Sequence, residues 1–266
     1  MAMVENETGQ DIRLRKEVGM PRLHKVIFVV LLAFLIALPF MVYPVFVMKV
    51  MCFALFAAAF NLLLGFGGLL SFGHAAYFGG ASYVAAHAAK VWGFTPELAV
   101  LAGTLAAAVL GLAIGSLAIR RQGIYFAMVT LAFAQMVYFF ALQAEFTGGE
   151  DGIQGVPRGD LFGLFSLQDN MALYFFVLAI TFGGILALYR IVHSPFGQVL
   201  KAIRENEPRA ISLGYQVNRY KLMVFTLSAT FAGLAGATKS QIFQLASLTD
   251  VHWSMSGEVV LMTLLG

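Results

Sequence analysis

The sequence predicts an all-α, polytopic bundle of transmembrane helices, and three observations carry this prediction. Hydrophobic residues make up 60% of the 266-residue chain and charged residues only 12%, whereas soluble domains carry roughly 25% charged residues. The apolar residues fall in long runs that match the length a helix needs to cross a bilayer. The alternating polar and apolar residues of a membrane β-barrel do not occur.

The apolar runs predict about eight spans, each full one near the ~17–25 residues that a spanning helix needs. They lie at 26–43, 46–64, 75–92, 97–118, 123–143, 171–192 and 222–238, with the eighth starting near residue 258. Residues 1–25 are polar and form a predicted cytoplasmic segment, so 26–266 is a single predicted transmembrane domain. The lone Cys52 lies in an apolar run, which predicts no disulfide, zinc cluster or redox pair.

The basic residues predict the orientation, because Lys and Arg concentrate in cytoplasmic loops. With the N-terminus inside, the cytoplasmic side holds Arg13, Arg15, Lys16, Arg22, Lys25, Arg120, Arg121, Arg190, Lys201, Arg204, Arg209, Arg219 and Lys221. The outer side holds only Lys49, Lys90, Arg158 and Lys239. The pI of about 9.0 does not indicate nucleic acid, because the basic residues lie in loops, as membrane topology requires.

The long charged stretch 194–220 predicts a helix–break–helix on the cytoplasmic surface, and we call it the elbow. Ser194 is a candidate N-cap, with Pro195 at the first helical position. Pro208 disfavours a helical residue before it and so ends the first helix there. A second short helix then runs to Gly214, a residue suited to the left-handed position that follows a helix.

The elbow combines an apolar face with an acidic turn. Its apolar face, formed by Phe196, Val199, Leu200 and Ile203, is predicted to fill a groove on a partner protein. Glu205 and Glu207 are expected to pair with basic groups of that partner. The candidate coupling residues are Phe196, Leu200, Ile203, Arg204, Glu205, Asn206, Glu207 and Gly214. The alternative is an elbow that lies in the lipid headgroups, although its acidic residues would then face anionic lipid.

Residues 61–80 read NLLLGFGGLLSFGHAAYFGG, and six glycines interrupt this apolar segment. Non-helical backbone at membrane depth is tolerated only inside protein or beside a water-filled path, and glycine-broken segments mark such paths. The alternative is a tight turn with close helix packing. The candidate path residues are Asn61, Gly65, Gly67, Gly68, Ser71 and His74 in this segment, with Thr130 and Gln135 on the span 123–143. Thr130 and Gln135 could instead hydrogen-bond across helices. His74 has no spaced partner, so a metal site is not expected.

Two further segments have predicted packing or docking roles. The span 97–118 carries a small residue at every fourth position, which lets another helix approach closely. The residues are Gly103, Ala107, Gly111 and Gly115. The outer loop 145–160 is rich in glycine and acidic residues, and is predicted to be a structured docking surface. Its candidate docking residues are Gly148, Gly149, Asp151, Gly152, Gly155 and Pro157.

Missing motifs and missing charges limit the chemistry. The sequence contains no GxxxxGK[ST] motif, so the chain cannot cradle ATP by itself. It also lacks the HExxH, GxSxG and GxGxxG motifs of several enzyme classes, so we expect no enzyme. The predicted span interiors contain no charged residue, and only Lys49, Lys90, Arg190 and Glu258 lie near span ends, which argues against proton coupling or a charged cargo. A neutral or zwitterionic, partly apolar solute fits better.

Several of these stretches together resemble the LivM-type permeases of branched-chain amino acid ABC importers. The matching stretches, in chain order, are NLLLGFGGLLSFGHAAYFG, GIYFAMVTLAFAQ, TGGEDGIQGVP, SPFGQVLKAIRENEPRAISLG and NRYKLMVFTLSATFAGLAGA. The resemblance implies a multi-pass inner-membrane permease that translocates branched-chain or other neutral amino acids. It also implies a LivH-type second permease, two ATP-binding subunits that hydrolyse the ATP, and a periplasmic binding protein. The chain itself is expected to hold no cofactor.

The resemblance assigns the elbow to coupling with the ATP-binding subunits. Family members continue with further membrane helices, whereas this sequence stops at Gly266 as an apolar run begins, so we expect its C-terminal part to be incomplete. Two alternatives stay open for the cargo and the energy source. The protein could import urea or short amides, or it could be an energy-independent solute channel.

Overall fold

The computed structural model describes residues 22–161 and 165–265. Most of the predicted cytoplasmic segment 1–25 lies outside the described residues. The described residues are mostly helical, which confirms the all-α bundle, and their four strands have two residues each. The chain divides into two units, Met1–Tyr43 and Pro44–Gly266.

In its described residues, 22–43, the first unit contains one apolar helix, α1 (Arg22–Ala37), followed by a 3₁₀ helix (Leu38–Phe40). Pro39 explains where α1 ends, because a proline disfavours α-helical geometry in the residue that precedes it. Leu38 is that residue, and the chain tightens into the 3₁₀ turn there.

The second unit contains nine α-helices in its described residues, and four of them have proline in the first turn. The helices are α2 (Pro44–Asn61), α3 (His74–Lys90), α4 (Pro96–Ala118), α5 (Ile124–Gln143), α6 (Asn170–Val192), α7 (Pro195–Glu205), α8 (Glu207–Ser212), α9 (Val217–Phe243) and α10 (Trp253–Leu265). A π-helix, Leu62–Phe66, continues α2. Proline suits the first turn because the N–H it lacks has no partner within the helix there.

Five described helical segments are long and apolar enough to cross a membrane. They are Pro44–Phe66, Pro96–Ala118, Ile124–Gln143, Asn170–Val192 and Val217–Phe243. The predicted spans 26–43 and 75–92 and the span starting near 258 correspond to α1, α3 and α10, which have 16, 17 and 13 residues. The predicted count of eight is therefore not confirmed. The last long helix, α9, also extends beyond both ends of the predicted span 222–238, so Lys221 and Lys239 lie inside it.

The small-residue row on α4 packs against α9, as predicted. A Cβ added at Gly111 would lie only 2.5 Å from the Cβ of Ala229, and one at Gly115 would lie 2.7 Å from the Phe225 ring. Ala107 faces Gly233 in the same way. We call these contacts the α4–α9 seam. The backbones approach so closely because α4 presents only glycine and alanine at the contact.

The second unit has two distinct ends. At one end, which we call the strand end, β1 (Ile153–Gln154) pairs antiparallel with β4 (Leu245–Ala246). Lys90 at the C-terminus of α3 donates to the Gln154 carbonyl oxygen across 2.7 Å. A second pair, β2 (Asp160–Leu161) with β3 (Phe165–Ser166), lies between α5 and α6 in the chain. The elbow occupies the opposite end, where α6 finishes and α9 begins. Segments predicted to lie outside thus meet at the strand end, away from the elbow.

Candidate functional site

The glycine-rich break after α2 leaves regular helix by way of the π-helix. Gly67 donates to the Leu62 carbonyl and Gly68 to the Leu64 carbonyl, each across 3.2 Å. Gly68 then adopts a left-handed conformation with φ of 66°, which glycine adopts without strain. The chain stays non-helical until α3 begins at His74. A π-helix inside an apolar segment is rare and often marks a functional position.

Three predicted path residues, Ser71, His74 and Thr130, are fully buried in the protein. Thr130 Oγ1 accepts a hydrogen bond from Phe72 N across 3.2 Å, and Ser71 Oγ accepts one from Gly73 N at the same distance. Ser71 and Thr130 thus satisfy the backbone of the break, and the path-lining role of all three residues stays a prediction.

His74 is the centre of an aromatic cluster at the start of α3. Its Nε2 lies 2.8 Å from Ser228 Oγ, and Ser228 Oγ donates its proton to the Ala59 carbonyl across 2.6 Å. Since the serine proton is committed, Nε2 must carry the imidazole proton and donate. The rings of Phe60 and Tyr77 contact His74 edge-on. His74 therefore joins α2, α3 and α9.

The other predicted path residues differ in their surroundings. Asn61 is exposed at the end of α2, and Gln135 is half-buried on α5. A Cβ added at Gly65 would collide with the Asn61 side chain, and one at Gly67 would lie 2.7 Å from the Leu63 carbonyl oxygen. These two glycines thus permit close packing within the break.

The elbow forms the predicted helix–break–helix. Ser194 occupies the N-cap position of α7, but its hydroxyl donates to the Ile191 carbonyl and does not cap the helix. The break falls at Asn206, whose side chain accepts a hydrogen bond from Arg209 N across 3.0 Å and caps α8. Gly214 has a φ of 87° and reverses the chain, as predicted.

The apolar face of α7 packs inside the chain, which corrects the prediction that it fills a partner's groove. Leu200 and Ile203 are almost fully buried, and Ile203 packs with Ala210 and Val217. Phe196 is partly buried and stacks on Tyr220 with ring centroids 5.7 Å apart. These side chains attach the elbow to its own membrane helices.

The inner side of the elbow contacts the glycine break directly. Arg204 donates from its guanidinium to the Gly65 carbonyl oxygen. A Cβ added at Gly68 would lie 3.0 Å from Arg204 Cγ, so the arginine stem covers that glycine. Lys201 Nζ lies 5.5 Å from the centroid of the Phe66 ring. We call these contacts the elbow–break junction.

The outer side of the elbow presents one acidic residue and two large apolar residues. Glu207 lies toward the chain and pairs with Lys221 across 2.8 Å, which corrects its predicted pairing with a partner protein. Glu205 is exposed and forms no ion pair with any described residue. Ile211 and Leu213 are also exposed. The sequence analysis did not predict this exposed pair. Ala210 on α8 is buried, whereas the side chains of Ile211 and Leu213 that follow it remain exposed.

The predicted docking loop at the strand end is an ordered chain of turns. Gly148, Gly149, Gly152 and Gly155 all have positive φ, and Pro157 follows them. Gly152 lies against the Ala246 carbonyl, where a Cβ would collide. Asp151 is exposed at the end of a 3₁₀ turn. The loop is structured as predicted, and its docking role stays a prediction.

A buried ion pair at the strand end was not predicted. Lys239 on α9 pairs with Asp250, and both side chains are largely buried. Lys239 also lies 5.8 Å from the ring centroids of Phe78 and Phe243. The sequence placed Lys239 in a loop, because the predicted span ended one residue before it. The longer α9 instead carries the charge into the fold, where Asp250 compensates it.

Comparison with known proteins identifies the family. Residues 44–266 match the family described as the permease component of the branched-chain amino acid transport system. The chain belongs to this permease family. The match covers the whole second unit, including the glycine break and the elbow.

Two curated relatives carry the same assignment. The chain is 35% identical over 159 residues to the high-affinity branched-chain amino acid transport system permease protein LivM of Escherichia coli strain K12. It is 34% identical over 159 residues to the LivM protein of Salmonella typhimurium strain LT2. Each alignment covers 51% of this chain and 37% of the relative, so the chain spans little more than a third of the relatives it matches. No solved structure matches the chain.

Family and fold together establish a multi-pass membrane protein of the transport-permease class. Five apolar helices of spanning length and the family match both support this conclusion. A permease moves a solute and is not an enzyme in the usual sense.

Proposed function

We propose that the protein is the membrane-spanning permease subunit of an ATP-driven importer of branched-chain or other neutral amino acids. The observation that carries the proposal is the elbow–break junction. Arg204 of the elbow donates to the carbonyl of Gly65 in the break. A movement imposed on the elbow would exchange this contact and so hold or release the break at the end of α2.

The chain needs partners in this proposal, because it has no phosphate-binding motif of its own. An ATP-binding subunit would contact the outer side of the elbow, at Glu205, Ile211 and Leu213. An exposed apolar pair beside a charge is typical of a protein–protein contact, in which a buried anchor is surrounded by polar groups. We propose two such subunits, a LivH-type second permease and a periplasmic binding protein that contacts the loop at the strand end.

The proposed location is the bacterial inner membrane, with the N-terminus and the elbow in the cytoplasm. Labelling of single introduced cysteines tests this orientation, since the native Cys52 is buried. Gln154 and Gln198 are both exposed, at the strand end and on the elbow respectively. In intact spheroplasts, a membrane-impermeant thiol reagent should label Gln154→Cys and spare Gln198→Cys. Labelling of Gln198→Cys alone would invert the orientation.

Transport by the assembled complex in proteoliposomes tests the function itself. With ATP and loaded binding protein, we expect leucine to accumulate inside, and without ATP we expect no accumulation. Equal leucine entry with and without ATP would instead indicate an energy-independent channel. ATP-dependent uptake of urea or a short amide, with none of leucine, would overturn the proposed cargo. Co-purification of the complex identifies the partner subunits.

A further inference from the structure

We propose that a groove between α2 and α10 binds the zwitterionic amino acid during translocation, an inference that rests on the proposed importer function. Glu258 would receive the ammonium group, Lys49 the carboxylate, and the apolar wall the aliphatic side chain. The groove has a volume of about 500 Å³ and is lined by Phe46, Lys49, Val50, Phe53, Ala54, Ala57, Glu258 and Met262.

The two charges are exceptional within their helices. Lys49 is the one basic residue of α2, and Glu258 is the one acidic residue of α10. Each lies five residues after the first residue of its helix, Pro44 or Trp253, which is about 7.5 Å along the axis at 1.5 Å per residue. Ionisable residues in apolar membrane helices are costly, and those that occur are commonly functional.

The same two charges have no internal partner in the part of the chain that the structure describes. The ion pairs there are Lys221 with Glu207 and Lys239 with Asp250. Lys49 and Glu258 are both exposed on the groove and belong to neither pair. The fold thus compensates the lysines of α9 internally and leaves the charges of the groove available.

The composition of the groove fits a small zwitterion better than another helix. Where α4 meets α9, Gly103, Ala107, Gly111 and Gly115 contact small residues, Phe225 and Leu222 of α9, and none of these contacts involves a charge. The groove instead presents large aromatic side chains beside one cation and one anion. A volume of about 500 Å³ also lies within the usual range for small-molecule sites. Urea carries neither charge and would gain little from either residue.

Protection of a cysteine from labelling tests the groove directly. Ala54 is exposed on the groove wall, so we would introduce Ala54→Cys in a Cys52→Ala background and purify the full complex. Leucine should slow the reaction of this cysteine with a thiol reagent at a concentration at least tenfold below that needed for isovalerate or isopentylamine. Each of these two probes keeps the branched chain and one charge. Equal protection by all three compounds would overturn the charge assignment.

Two substitutions and one control assign the charges. Glu258→Gln should raise the leucine concentration needed for protection at least tenfold and leave that for isovalerate unchanged. Lys49→Met should also raise the leucine concentration needed for protection at least tenfold, and should leave the isopentylamine concentration needed for protection unchanged. Arg190→Gln, which removes a charge from the last turn of α6 outside the groove, should change neither. Normal leucine protection in Glu258→Gln would contradict the proposal.

Other outcomes separate the groove from the importer function. A cysteine at residue 54 that is unreactive in the complex, with or without leucine, would show that a helix of the partner permease fills the groove. ATP-driven leucine uptake without any protection by leucine would overturn the proposed binding site in the groove and leave the importer function intact. Protection by leucine without ATP-driven uptake would support the binding site and overturn the importer function.

Discussion

The α4–α9 seam and the elbow–break junction join segments of the same unit by opposite means. At the seam, Gly111 and Gly115 contact Ala229 and Phe225 so closely that a single added carbon would overlap them. At the junction, one guanidinium hydrogen bond and the Arg204 stem over Gly68 make the contact. A close-packed, uncharged contact has one arrangement, because packed interiors do not deform continuously. A few polar contacts at an exposed edge can exchange at small cost. We therefore propose that the seam stays fixed during transport, as the frame of the unit, and that the junction is the part that moves.

The seam should give the largest effect, on the amount of folded protein. Gly111→Leu forces a side chain into the contact with Ala229, and overpacking of this kind costs about 1–3 kcal/mol or more. We expect a strongly reduced yield of monodisperse protein in detergent and a lower midpoint of thermal unfolding. Gly183→Leu is the matched control, since no atom lies within 4 Å of a Cβ at that exposed helical glycine. Equal loss in both variants would show that the seam is not a special contact.

The outer side of the elbow should give the next largest effect, on coupling with the folded protein intact. Glu205→Lys reverses an exposed charge that has no ion pair among the described residues, so it should not unfold the chain. Charge reversal should reduce the stimulation of ATP hydrolysis by loaded binding protein at least tenfold, and Glu205→Gln should reduce it less, because repulsion adds to the lost contact.

An apolar variant separates the elbow's outer side from its inner side. Ile211→Asp places a charge in the exposed apolar pair and should also uncouple ATP hydrolysis from the binding protein. Ile203→Asp is unsuitable for this purpose, since Ile203 is buried and a charge there would unfold the elbow. Full stimulation in both Glu205→Lys and Ile211→Asp would show that the outer side of the elbow faces lipid or water.

The break should give a smaller, graded effect on transport. Gly68→Ala introduces a Cβ 3.0 Å from Arg204 Cγ at a backbone φ of 66°, and the left-handed conformation costs about 1–2 kcal/mol for a residue other than glycine. Gly93→Ala also places a non-glycine residue at a positive φ, of 67°, with no atom within 4 Å of its Cβ. We expect the two variants to lose similar thermal stability, whereas only Gly68→Ala should lower leucine uptake, by about threefold to tenfold. Equal leucine uptake by the two variants would show that the break takes no part in transport.

The α4–α9 seam could be predicted from the sequence better than the elbow–break junction, for physical reasons. A glycine or alanine at every fourth position of one helix permits close approach by any neighbour, so local spacing suffices to predict the seam. Pro195, Pro208 and Gly214 act on their own backbone, and the elbow's outline was predicted for the same reason. The partner of each charge depends instead on how distant helices pack. Glu207 with Lys221 and Lys239 with Asp250 could therefore not be predicted from spacing.

The path residues show the same limit. Ser71, His74 and Thr130 were selected because polar groups in apolar spans are uncommon. In the structure, Thr130 and Ser71 accept hydrogen bonds from the backbone of the break, and His74 bonds to Ser228 on α9. A buried polar group that has found a partner within the protein is typical of folded chains. Lys49 and Glu258 were noted only as charges near span ends, because nothing in the sequence shows that α2 and α10 share a groove.

A reversible cross-link between the elbow and the break tests the central claim, that movement at this junction is required for transport. A Cβ at Gly68 would lie 3.6 Å from the Arg204 Cβ, within the range of about 3.5–4.5 Å found in disulfides. In a Cys52→Ala background, Gly68→Cys with Arg204→Cys should cross-link on mild oxidation, and each single variant serves as a control. We predict that oxidation abolishes ATP-driven leucine uptake by the double variant and that reductant restores it to the level of the single variants. Uptake at an unchanged rate in the fully cross-linked complex would contradict the account.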